Sequence, residues 1–518
     1  MGSIGTANFV NRKRAVTVVE SVEQENERQK LLNKLFAKLK ELEDERNGVA
    51  PNTTTSAASS TNRSSVSGQA GFFSQASNTG QGFYNQQNKN QSEFLHFKNI
   101  TDKQMVTGSL PYNGYQKSYH IENSELLYKM IRFDNKLCRS ILEQHGFSST
   151  DSHEWNILWS SSSCKSYQYE GLNEYQKINH FPQSYEITRK DRLCFNIVRL
   201  QERFGKNAFD FCPDTYILPD EFGDFYNHYQ KLKQHESKKN VWIVKPANAC
   251  QGRGIYIVDD INDVNVDETS VISKYITNPL LINGHKFDLR IYVVITGYEP
   301  LRIYIFQEGL ARFASETYTQ KINKQNKYMH LTNYSINKKN DRFIQNENTE
   351  QDDFGYKWSL GAFCKHLEQV GIDMNLLWSR IYDVIIKTIL CGENYVQAAM
   401  KKNGTHRTNC FELLGFDVLI DSDLKPWLIE VNLSSSMATE SPLDMSIKSN
   451  LICDMFNLIG IKRFDRKKES INKIKHRMKG LYGKGKKSGL GQGIQGTSLQ
   501  PHGQNNGDPS NTANAQLQ

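Results

Sequence analysis

The sequence predicts a mixed α/β (α+β) fold. Strand-like apolar runs at residues 241–244 and 255–258 flank a short turn, and a second pair at 291–296 and 301–306 is separated by Gly-Tyr-Glu-Pro. Helical spacing appears in residues 20–46, where six leucine and phenylalanine side chains recur among alternating charges. The chain therefore combines β-hairpins with at least one amphipathic helix.

Composition divides the chain, whose 518 residues leave room for two or three domains. Residues from about 50 to 93 are Ser, Thr, Asn, Gln and Gly with too little apolar surface to offset the entropy of ordering. From Phe94 onward the composition is that of a globular domain. The predicted segments are the N-terminal segment with its helix, a disordered linker, the ordered domain that carries the function, a basic segment and a disordered tail: 1–49, 50–93, 94–461, 462–487 and 488–518.

Two further features restrict the class of protein. No stretch approaches the roughly 18 consecutive apolar residues of a membrane-spanning helix, and the N-terminus has no apolar signal-peptide core. The nine cysteines are scattered without a Cys-x-x-Cys pair, which argues against a disulfide framework and a zinc site. We therefore expect a soluble intracellular protein with reduced thiols.

Residues 462–487 carry more than the whole net charge of the chain. The formal net charge is +8, whereas this segment has twelve lysines and arginines against two acids, an excess of ten. Such a run is typical of a solvated basic helix and tail, or of a contact with nucleic acid, an anionic membrane or an acidic protein surface. Charge alone does not choose among these partners.

The turn between the first two strands has the composition of a phosphate-binding loop. Glycine lets backbone N–H groups approach a phosphate closely, and a lysine on the preceding strand adds a positive charge. Lys245 and the segment Gln251, Gly252, Arg253 and Gly254 therefore indicate a flexible hairpin folded over a polyphosphate. A glycine-containing hairpin turn without a ligand is the alternative.

The apolar runs within residues 410–436 predict a group of oxygen ligands. If their turn is centred between Asp423 and Leu424, Asp417 lies opposite Glu430, and Asn432 points from the same face. Two carboxylates and an amide suit Mg²⁺ bound together with substrate phosphates. A solvent-facing acidic patch is the alternative, although the apolar neighbours favour a buried sheet in which a cation must compensate the acids.

Charged residues also lie at the edges of the strands predicted at 291–296 and 301–306. Each is compatible with an ordinary surface charge, but together they fit a cleft that holds anions. Residues 329–340 then add hydroxyl and amide groups able to orient a ligand. The charged residues of this cluster are Lys274, Lys286, Asp288, Arg290 and Arg312.

These motifs follow one another in a distinctive order. They are Lys245-Pro, QGRG, SKYI, KFDLR, RFAS, HLTNYSINK and DVLID…KPWLIEVNLS, preceded by YQKINHFPQSYEITRKDRL. Over about residues 155–460 this order resembles the tubulin tyrosine ligase-like family, specifically its polyglutamylase branch. The resemblance implies an ATP-grasp fold, in which two α/β subdomains hold ATP, with an N-terminal α/β subdomain and a basic C-terminal extension.

The resemblance also implies a role for each matching residue. Phosphates, adenine and the rest of ATP would contact Lys245, Gln251, Gly252, Arg253, Gly254, Lys274, Tyr275, Ile276, Lys286, Asp288, Thr332 and Asn333. Magnesium would be held by Asp417, Glu430 and Asn432. The incoming glutamate would contact Gln251, Arg312, Tyr334, Ser335, Lys338 and Lys448. The residues expected to act in catalysis are Arg290, which would neutralise the activated group, Arg312 and Glu430.

The implied reaction joins an amino acid to a carboxylate at the expense of ATP. The carboxylate becomes an acylphosphate, which the amine of free L-glutamate attacks, while Mg²⁺ and cationic side chains offset the phosphoryl charge. The acceptor would be a glutamate in an acidic tubulin tail, and residues 462–487 would bind microtubules. We expect tubulin and free glutamate as partners, without nucleic acid or a membrane, and a cytoplasmic monomer on the cytoskeleton, including cilia or basal bodies.

Two other functions are compatible with the same resemblance: an inactive microtubule-binding scaffold, and a ligase that adds glycine or tyrosine. Competent residues at the metal and phosphate positions argue against the scaffold, and Arg312, Lys338 and HLTNYS favour an acidic donor. Gln251 resembles enzymes that lengthen glutamate chains, whereas Leu433 resembles enzymes that start them. Initiation versus elongation therefore stays open, as do the choice between α- and β-tubulin and the existence of non-tubulin acceptors.

Overall fold

The computed structural model describes residues 94–98, 126–234, 240–247, 252–319, 324–347, 351–462, 470–472 and 474–478. The predicted N-terminal helix, the linker, the C-terminal tail and most of the basic segment lie outside these residues. The chain divides into two compact units, Met1–Phe464 and Asp465–Gln518. In the second unit, residues 470–472 and 474–478 are helical.

The strands and helices of the first unit are numbered in chain order over its described residues. The strands β1 to β14 are Leu126–Ile131, Phe147–Ser149, Ile157–Ser160, Lys177–Ile178, Thr215–Leu218, Trp242–Pro246, Tyr256–Val258, Ser270–Lys274, Leu281–Ile282, His285–Tyr298, Leu301–Phe313, Lys357–Ser359, Glu412–Ile420 and Pro426–Asn432. The α-helices α1 to α9 are Lys136–Gln144, Tyr185–Thr188, Lys190–Phe204, Phe222–Lys233, Lys327–His330, Tyr334–Asn337, Leu360–Gln369, Met374–Lys402 and Pro442–Ile459.

The first sheet is parallel and has the strand order β2-β1-β3-β4. Its helix α1 is capped by Asn135, whose side chain accepts a hydrogen bond from the Cys138 backbone and so satisfies one of the free N–H groups of the first turn. The buried side chains of α1 join those of α9 in one apolar core. The first sheet and α1 therefore share one apolar core with the C-terminal helix α9.

The motif that contains Asn179 and His180 connects the first sheet to the sheet that contains β13. The His180 side chain is buried, with Nδ1 at 2.9 Å from Glu412 Oε1 on β13 and Nε2 at 2.9 Å from the Ser160 carbonyl oxygen on β3. The Asn179 side chain accepts a hydrogen bond from the Ser160 backbone N–H and donates one to the Ser160 carbonyl oxygen. These hydrogen bonds explain why the two polar residues of the INHF sequence, Asn179 and His180, are buried.

The central sheet has the antiparallel order β12-β11-β10-β13-β14, and β9 also pairs with β10. Alternate side chains of β10 enter two cores: Leu289, Ile291 and Val293 join the core that contains α8, whereas Tyr292 and Val294 join the core that contains α9. Because helices cover both faces, β10 is apolar on both sides over most of its length. This sheet is the scaffold of the unit.

The strands of the β10–β11 hairpin are longer than the sequence predicts. The predicted runs end where charged residues begin, but β10 starts at His285 and β11 continues to Phe313. Lys286, Asp288 and Arg290 alternate with apolar side chains, so the strand continues with charges on one face. The expectation that these residues and Arg312 lie at strand edges is therefore wrong: they lie within the strands.

The third sheet is antiparallel with the order β5-β8-β6-β7. Its core is formed with α4 around the fully buried Trp242 and Phe225, whose rings meet edge to face at 5.0 Å. The predicted strand pair before and after the glycine-rich turn is confirmed, because Trp242 on β6 pairs with Val258 on β7. Residues 248–251 of the turn, including Gln251, lie outside the described residues.

The structure thus confirms a mixed α/β protein with several sheets. Within the described part of the chain, no helix is long and apolar enough to cross a membrane. The eight cysteines found among the described residues all carry free thiols.

Candidate active site

A cleft between the central and third sheets gathers most of the predicted nucleotide and metal residues. They come from β6, β8, β10, β13 and β14, from the glycine-rich turn and from the segment between α5 and α6. The predicted residues that line it are Lys245, Gly252, Arg253, Lys274, Tyr275, Ile276, Lys286, Asp288, Thr332, Asn333, Asp417 and Glu430. Residues that are far apart in the sequence therefore share one site.

The glycines of the turn are required by both conformation and space. Gly252 and Gly254 have φ values of +74° and +70°, a region that L side chains rarely adopt. A Cβ at Gly252 would collide with Ile336 and lie 3.0 Å from Asn333 Oδ1, and one at Gly254 would lie 2.9 Å from Pro246. The turn therefore packs closely against the rim of the cleft that includes Asn333.

Three buried side chains form a hydrogen-bonded group at the inner end of the cleft. Lys286 Nζ donates to the Tyr275 hydroxyl at 3.1 Å, and that hydroxyl lies 2.9 Å from His330 Nδ1. Lys286 also lies over the Tyr275 ring, 4.5 Å from its centroid. Burial lowers the pKa of Lys286 to about 7, because the charged ammonium loses water, and the carboxylate of Asp288 only partly offsets this loss.

The two predicted acidic ligands face each other on adjacent strands. Asp417 on β13 pairs with Glu430 on β14, and Gly415 pairs with Asn432, as the residue count from the turn predicts. Nearer the turn, however, Ile420 pairs with Pro426, one residue away from the predicted register. A bulge after Asp417 absorbs the difference, so the assumed turn centre is wrong at the tip although the pairing at the site is right.

Asp417 is the centre of a buried ionic network. Its Oδ1 lies 2.5 Å from Arg290 Nε, and its Oδ2 lies 2.8 Å from Arg312 Nη2. Arg312 also forms a bidentate salt bridge with Asp288. Burial opposes the ionisation of Asp417, but the two guanidinium groups outweigh it and hold the pKa of this carboxyl well below its usual range. Arg290 and Arg312 are thus joined to the cleft through Asp417, which lines it.

Lys190, at the start of α3, is a cleft residue that the sequence did not identify individually. Its Nζ lies 3.3 Å from Glu430 Oε2, and both side chains are about one-quarter exposed. Burial lowers the pKa of the neighbouring Lys245, and Glu430 opposes this shift. Lys190 lies within the motif YQKINHFPQSYEITRKDRL, but only the fold shows that this part of the motif reaches the cleft.

The acidic residues fit a cation that is completed by other ligands. Among the described residues, no group of three or more His, Cys, Asp or Glu is arranged to hold a metal. Asp417, Glu430 and Asn432 nevertheless present two carboxylates and an amide from one pair of strands, and the Asn432 amide lies 3.4 Å from Asp417 Oδ2. Such a set suits Mg²⁺, which takes its remaining ligands from water and phosphate oxygens.

A second cluster of cations adjoins this network on the same face of the sheet, because Lys357 on β12 is the register partner of Arg312. Lys357 Nζ lies 3.8 Å from the centre of the Tyr334 ring and 2.7 Å from Asp444 Oδ2. Lys448 lies 2.8 Å from Asp444 Oδ1. Of the residues predicted to contact an amino acid, Tyr334 and Lys448 thus meet here, and Ser335 lies next to Tyr334 on α6.

Six residues form a group that we call the amino-acid cluster: Tyr334, Lys338, Lys357, Glu440, Asp444 and Lys448. Lys338 lies at its exposed side. Its Nζ is 2.9 Å from Glu440 Oε2, and the two side chains are 40% and 42% exposed. Lys357 is instead buried in the cluster, and the sequence analysis missed it. Its only sequence signal is a lysine before the Trp358-Ser359 pair, which does not distinguish it from the many surface lysines of the chain.

Comparison with known proteins gives a family and several relatives. The model of the tubulin-tyrosine ligase family matches residues 168–469. The tubulin polyglutamylase TTLL5 of Homo sapiens is 48% identical over 345 residues, which are 65% of this chain and 26% of the relative. The tubulin monoglutamylase TTLL4 of Mus musculus is 41% identical over 327 residues, 63% of this chain and 27% of the relative.

A probable beta-tubulin polyglutamylase of Tetrahymena thermophila is 38% identical over 381 residues, which are 72% of this chain and 31% of the relative. The matched region therefore spans about a quarter to a third of the length of these three relatives. The match to the family model, residues 168–469, includes all the residues that form the cleft and the amino-acid cluster.

Proposed function

Because this chain belongs to the tubulin-tyrosine ligase family, we propose that it is an ATP-dependent ligase that joins glutamate to glutamate side chains, or to glutamate chains, on tubulin C-terminal tails. The observation that carries this proposal is the convergence of Lys245, Lys274 and Lys286 with Asp417 and Glu430 on one cleft. Lysine ammonium groups bind phosphates, and carboxylates bind a divalent cation, so the cleft offers ligands for both the nucleotide and its metal ion.

We propose an ATP-grasp fold, with the nucleotide held between the third sheet and the central sheet. The glycine-rich turn supports this assignment, because Gly252 and Gly254 bring backbone close to the rim of the cleft. Thr332 and Asn333 would contact the phosphate end, and Tyr275 and Ile276 would border the adenine. Lys286 would carry its positive charge when a phosphate lies beside it, since an anion favours the ammonium form.

Magnesium would be held by Asp417, Glu430 and Asn432 together with phosphate oxygens. When bound, such an ion offsets charge on the transferring phosphoryl group. The protein's own contribution is to hold the acids in place: Arg290 and Arg312 fix Asp417, while Lys190 lies beside Glu430. The same arginines would stabilise an activated carboxylate, since their side chains are only 12% and 10% exposed and Asp417 already orients them.

The amino-acid cluster beside this network would bind the donor. Glutamate brings two carboxylates, and Lys357, Lys448 and Arg312 supply buried positive charge on the same face of the central sheet. Tyr334 would add a hydroxyl that stays protonated, because burial, together with Glu440, raises the pKa of Tyr334 to about 12. The surplus of cations favours an acidic donor over glycine or tyrosine.

The partners follow from the same proposal. An acidic tubulin tail would be the acceptor, and residues 462–487, with their excess of ten positive charges (twelve basic residues minus two acids), would bind the microtubule surface. Microtubules in the cytoplasm, and in cilia or basal bodies, would be the place of action. The names of the relatives support tubulin as the substrate class.

One assay tests the reaction and the donor together. Purified protein is incubated with microtubules, ATP and Mg²⁺ and, in parallel, with labelled glutamate, glycine or tyrosine. We expect ATP-dependent incorporation of glutamate into tubulin in clear excess over the other two. Preferential incorporation of glycine or tyrosine would overturn the donor assignment, and microtubule binding without any incorporation would indicate an inactive scaffold.

A further inference from the structure

The amino-acid cluster contains the carboxylate of Glu440, which the proposed function does not use. Glu440 follows β14 and precedes α9, and its Oε2 lies 2.9 Å from Lys338 Nζ. The hydrogen-bonded ammonium of Lys338 lowers the pKa of Glu440, so the side chain is anionic at neutral pH. Glu440 therefore places a negative charge at the mouth of a cluster that is otherwise rich in cations.

A free amino acid needs such a charge, because it carries an ammonium group as well as its carboxylates. An ammonium that leaves water for a cluster of lysines and arginines is strongly disfavoured unless an anion accompanies it. A cluster with cations alone would bind a dicarboxylic acid without an amine better than it binds glutamate. Recognition of the amine therefore requires an accessible carboxylate beside the cations.

Asp444, the other acid of the cluster, is not available for this role. It is 1% exposed and lies within 2.8 Å of both Lys357 and Lys448, while the Ser441 hydroxyl also donates to it. Its oxygens are thus committed to fixing the two lysines. Glu440 is 42% exposed, and its lysine partner is 40% exposed, so this pair is able to open without leaving a buried charge unpaired.

We propose that Glu440 binds the ammonium group of the incoming amino acid, while the surrounding cations bind its carboxylates. This inference rests on the proposed function, since it takes the cluster around Tyr334 as the donor site. The carboxylate of Glu440 would exchange Lys338 for the substrate ammonium. It would hold the nitrogen in place until the ammonium gives up a proton to water; the amine then attacks the acylphosphate carbon, the C–N bond forms and phosphate leaves. It would also discriminate amino acids from acids of the same length that lack an amine.

The test compares L-glutamate with glutarate, which has the same carbon chain and both carboxylates but no amine. Glu440→Gln keeps the shape of the side chain and removes its charge. Glu299→Gln is the matched control, because Glu299 is also exposed and pairs with a lysine, Lys401, but lies at the turn between β10 and β11. The measurements are the KM for glutamate in the transfer assay and the inhibition constant of glutarate as a competitor.

We expect Glu440→Gln to raise the KM for glutamate by about tenfold to a hundredfold, the range for losing a hydrogen bond between charged groups. The inhibition constant of glutarate and the KM for ATP should stay within about twofold of wild type. If Glu440→Gln binds both glutamate and glutarate more tightly than wild type, Glu440 merely covers the cluster and the inference is wrong. If neither the KM for glutamate nor the inhibition constant of glutarate changes, the inference is equally overturned. Wild-type protein that transfers no glutamate would refute the proposed function itself.

Discussion

Asp417 and Glu430 lie directly opposite each other on β13 and β14, yet they hold their charges in different ways. The Asp417 side chain is 2% exposed and is fixed by two arginines, whereas the Glu430 side chain is 24% exposed and has Lys190 at 3.3 Å. Asp417 is therefore held in one position at the cleft by its two arginines. Glu430 lines the cleft and is one-quarter exposed, and its ion pair with Lys190 is longer than those of Asp417, so it is the acid more able to take a new cationic partner.

This difference predicts that Glu430→Gln abolishes turnover without disturbing the fold. The amide preserves shape but removes the negative charge that a divalent cation requires, so transfer of glutamate should fall by more than about a hundredfold. The change is measured as incorporation of labelled glutamate into microtubules, with circular dichroism and co-sedimentation to verify folding and microtubule binding.

Asp423→Asn is the control for this variant, since Asp423 is exposed at the tip of the same hairpin. It should retain nearly wild-type turnover. Substantial activity of Glu430→Gln would mean that the hairpin does not hold the metal.

The hairpin also shows why the pairing of the site residues could be predicted from the sequence although the register near the turn could not. Counting from a polar turn requires only the period of two that every strand obeys, so the pairing of Asp417 with Glu430 was predictable. The bulge after Asp417 was not, because no proline or glycine in the sequence marks it. The prediction succeeded because the error at the turn and the bulge compensate each other.

A second prediction concerns the space at Gly252. Gly252→Ala adds a methyl group that would collide with Ile336 and crowd Asn333, so the turn should no longer pack against the cleft. We expect the KM for ATP to rise by about tenfold or more. Gly404→Ala separates this effect from backbone strain, because Gly404 also has a positive φ, +62°, but nothing within 4 Å of the added carbon. Equal effects of the two variants on the KM for ATP would contradict a specific role of the turn.

A third prediction follows from the lowered pKa of Lys286, about 7, which results from burial. Below this pKa the lysine is charged in the nucleotide-free protein, and above it the lysine is neutral, so phosphate binding must return a proton. Affinity for ATP should therefore fall as the pH rises from 7 to 9, by at most about tenfold per unit. Calorimetry in two buffers of different ionisation enthalpy should detect proton uptake on binding.

In Lys286→Arg the guanidinium stays charged throughout this range, so the contribution of residue 286 to the pH dependence should disappear. An equally steep fall in the variant would assign the titration to another group, such as Lys245, whose pKa burial also lowers.

The amino-acid cluster marks the limit of prediction from the sequence. Tyr334 could be predicted from its motif and Lys448 from the family resemblance. The positions of Lys357 and Asp444 beside Arg312 depend on how β12 and α9 pack, which the structure shows. Contacts between residues so distant in sequence depend on how helices cover the sheet, and no local pattern encodes that packing. Charged residues within β10 were likewise mistaken for strand edges, because a buried ionic network interrupts the apolar alternation.

The last prediction concerns residues 462–487, whose charge excess of ten should set the affinity for the microtubule and leave the chemistry of the cleft unchanged. In the sequence the segment follows α9, and it contains none of the residues that we propose to hold ATP or glutamate. Replacing them with neutral residues should weaken co-sedimentation with microtubules and raise the KM for microtubules, while the affinity for ATP stays unchanged. Attraction between exposed charges is screened within about 8 Å at physiological ionic strength, so wild-type binding should weaken as salt increases and the residual binding of the variant should respond less. The matched control neutralises an equal number of lysines and arginines that are exposed elsewhere on the first unit. If the variant of 462–487 binds microtubules as well as wild type across the salt range, or no worse than this control, the microtubule is recognised by another surface.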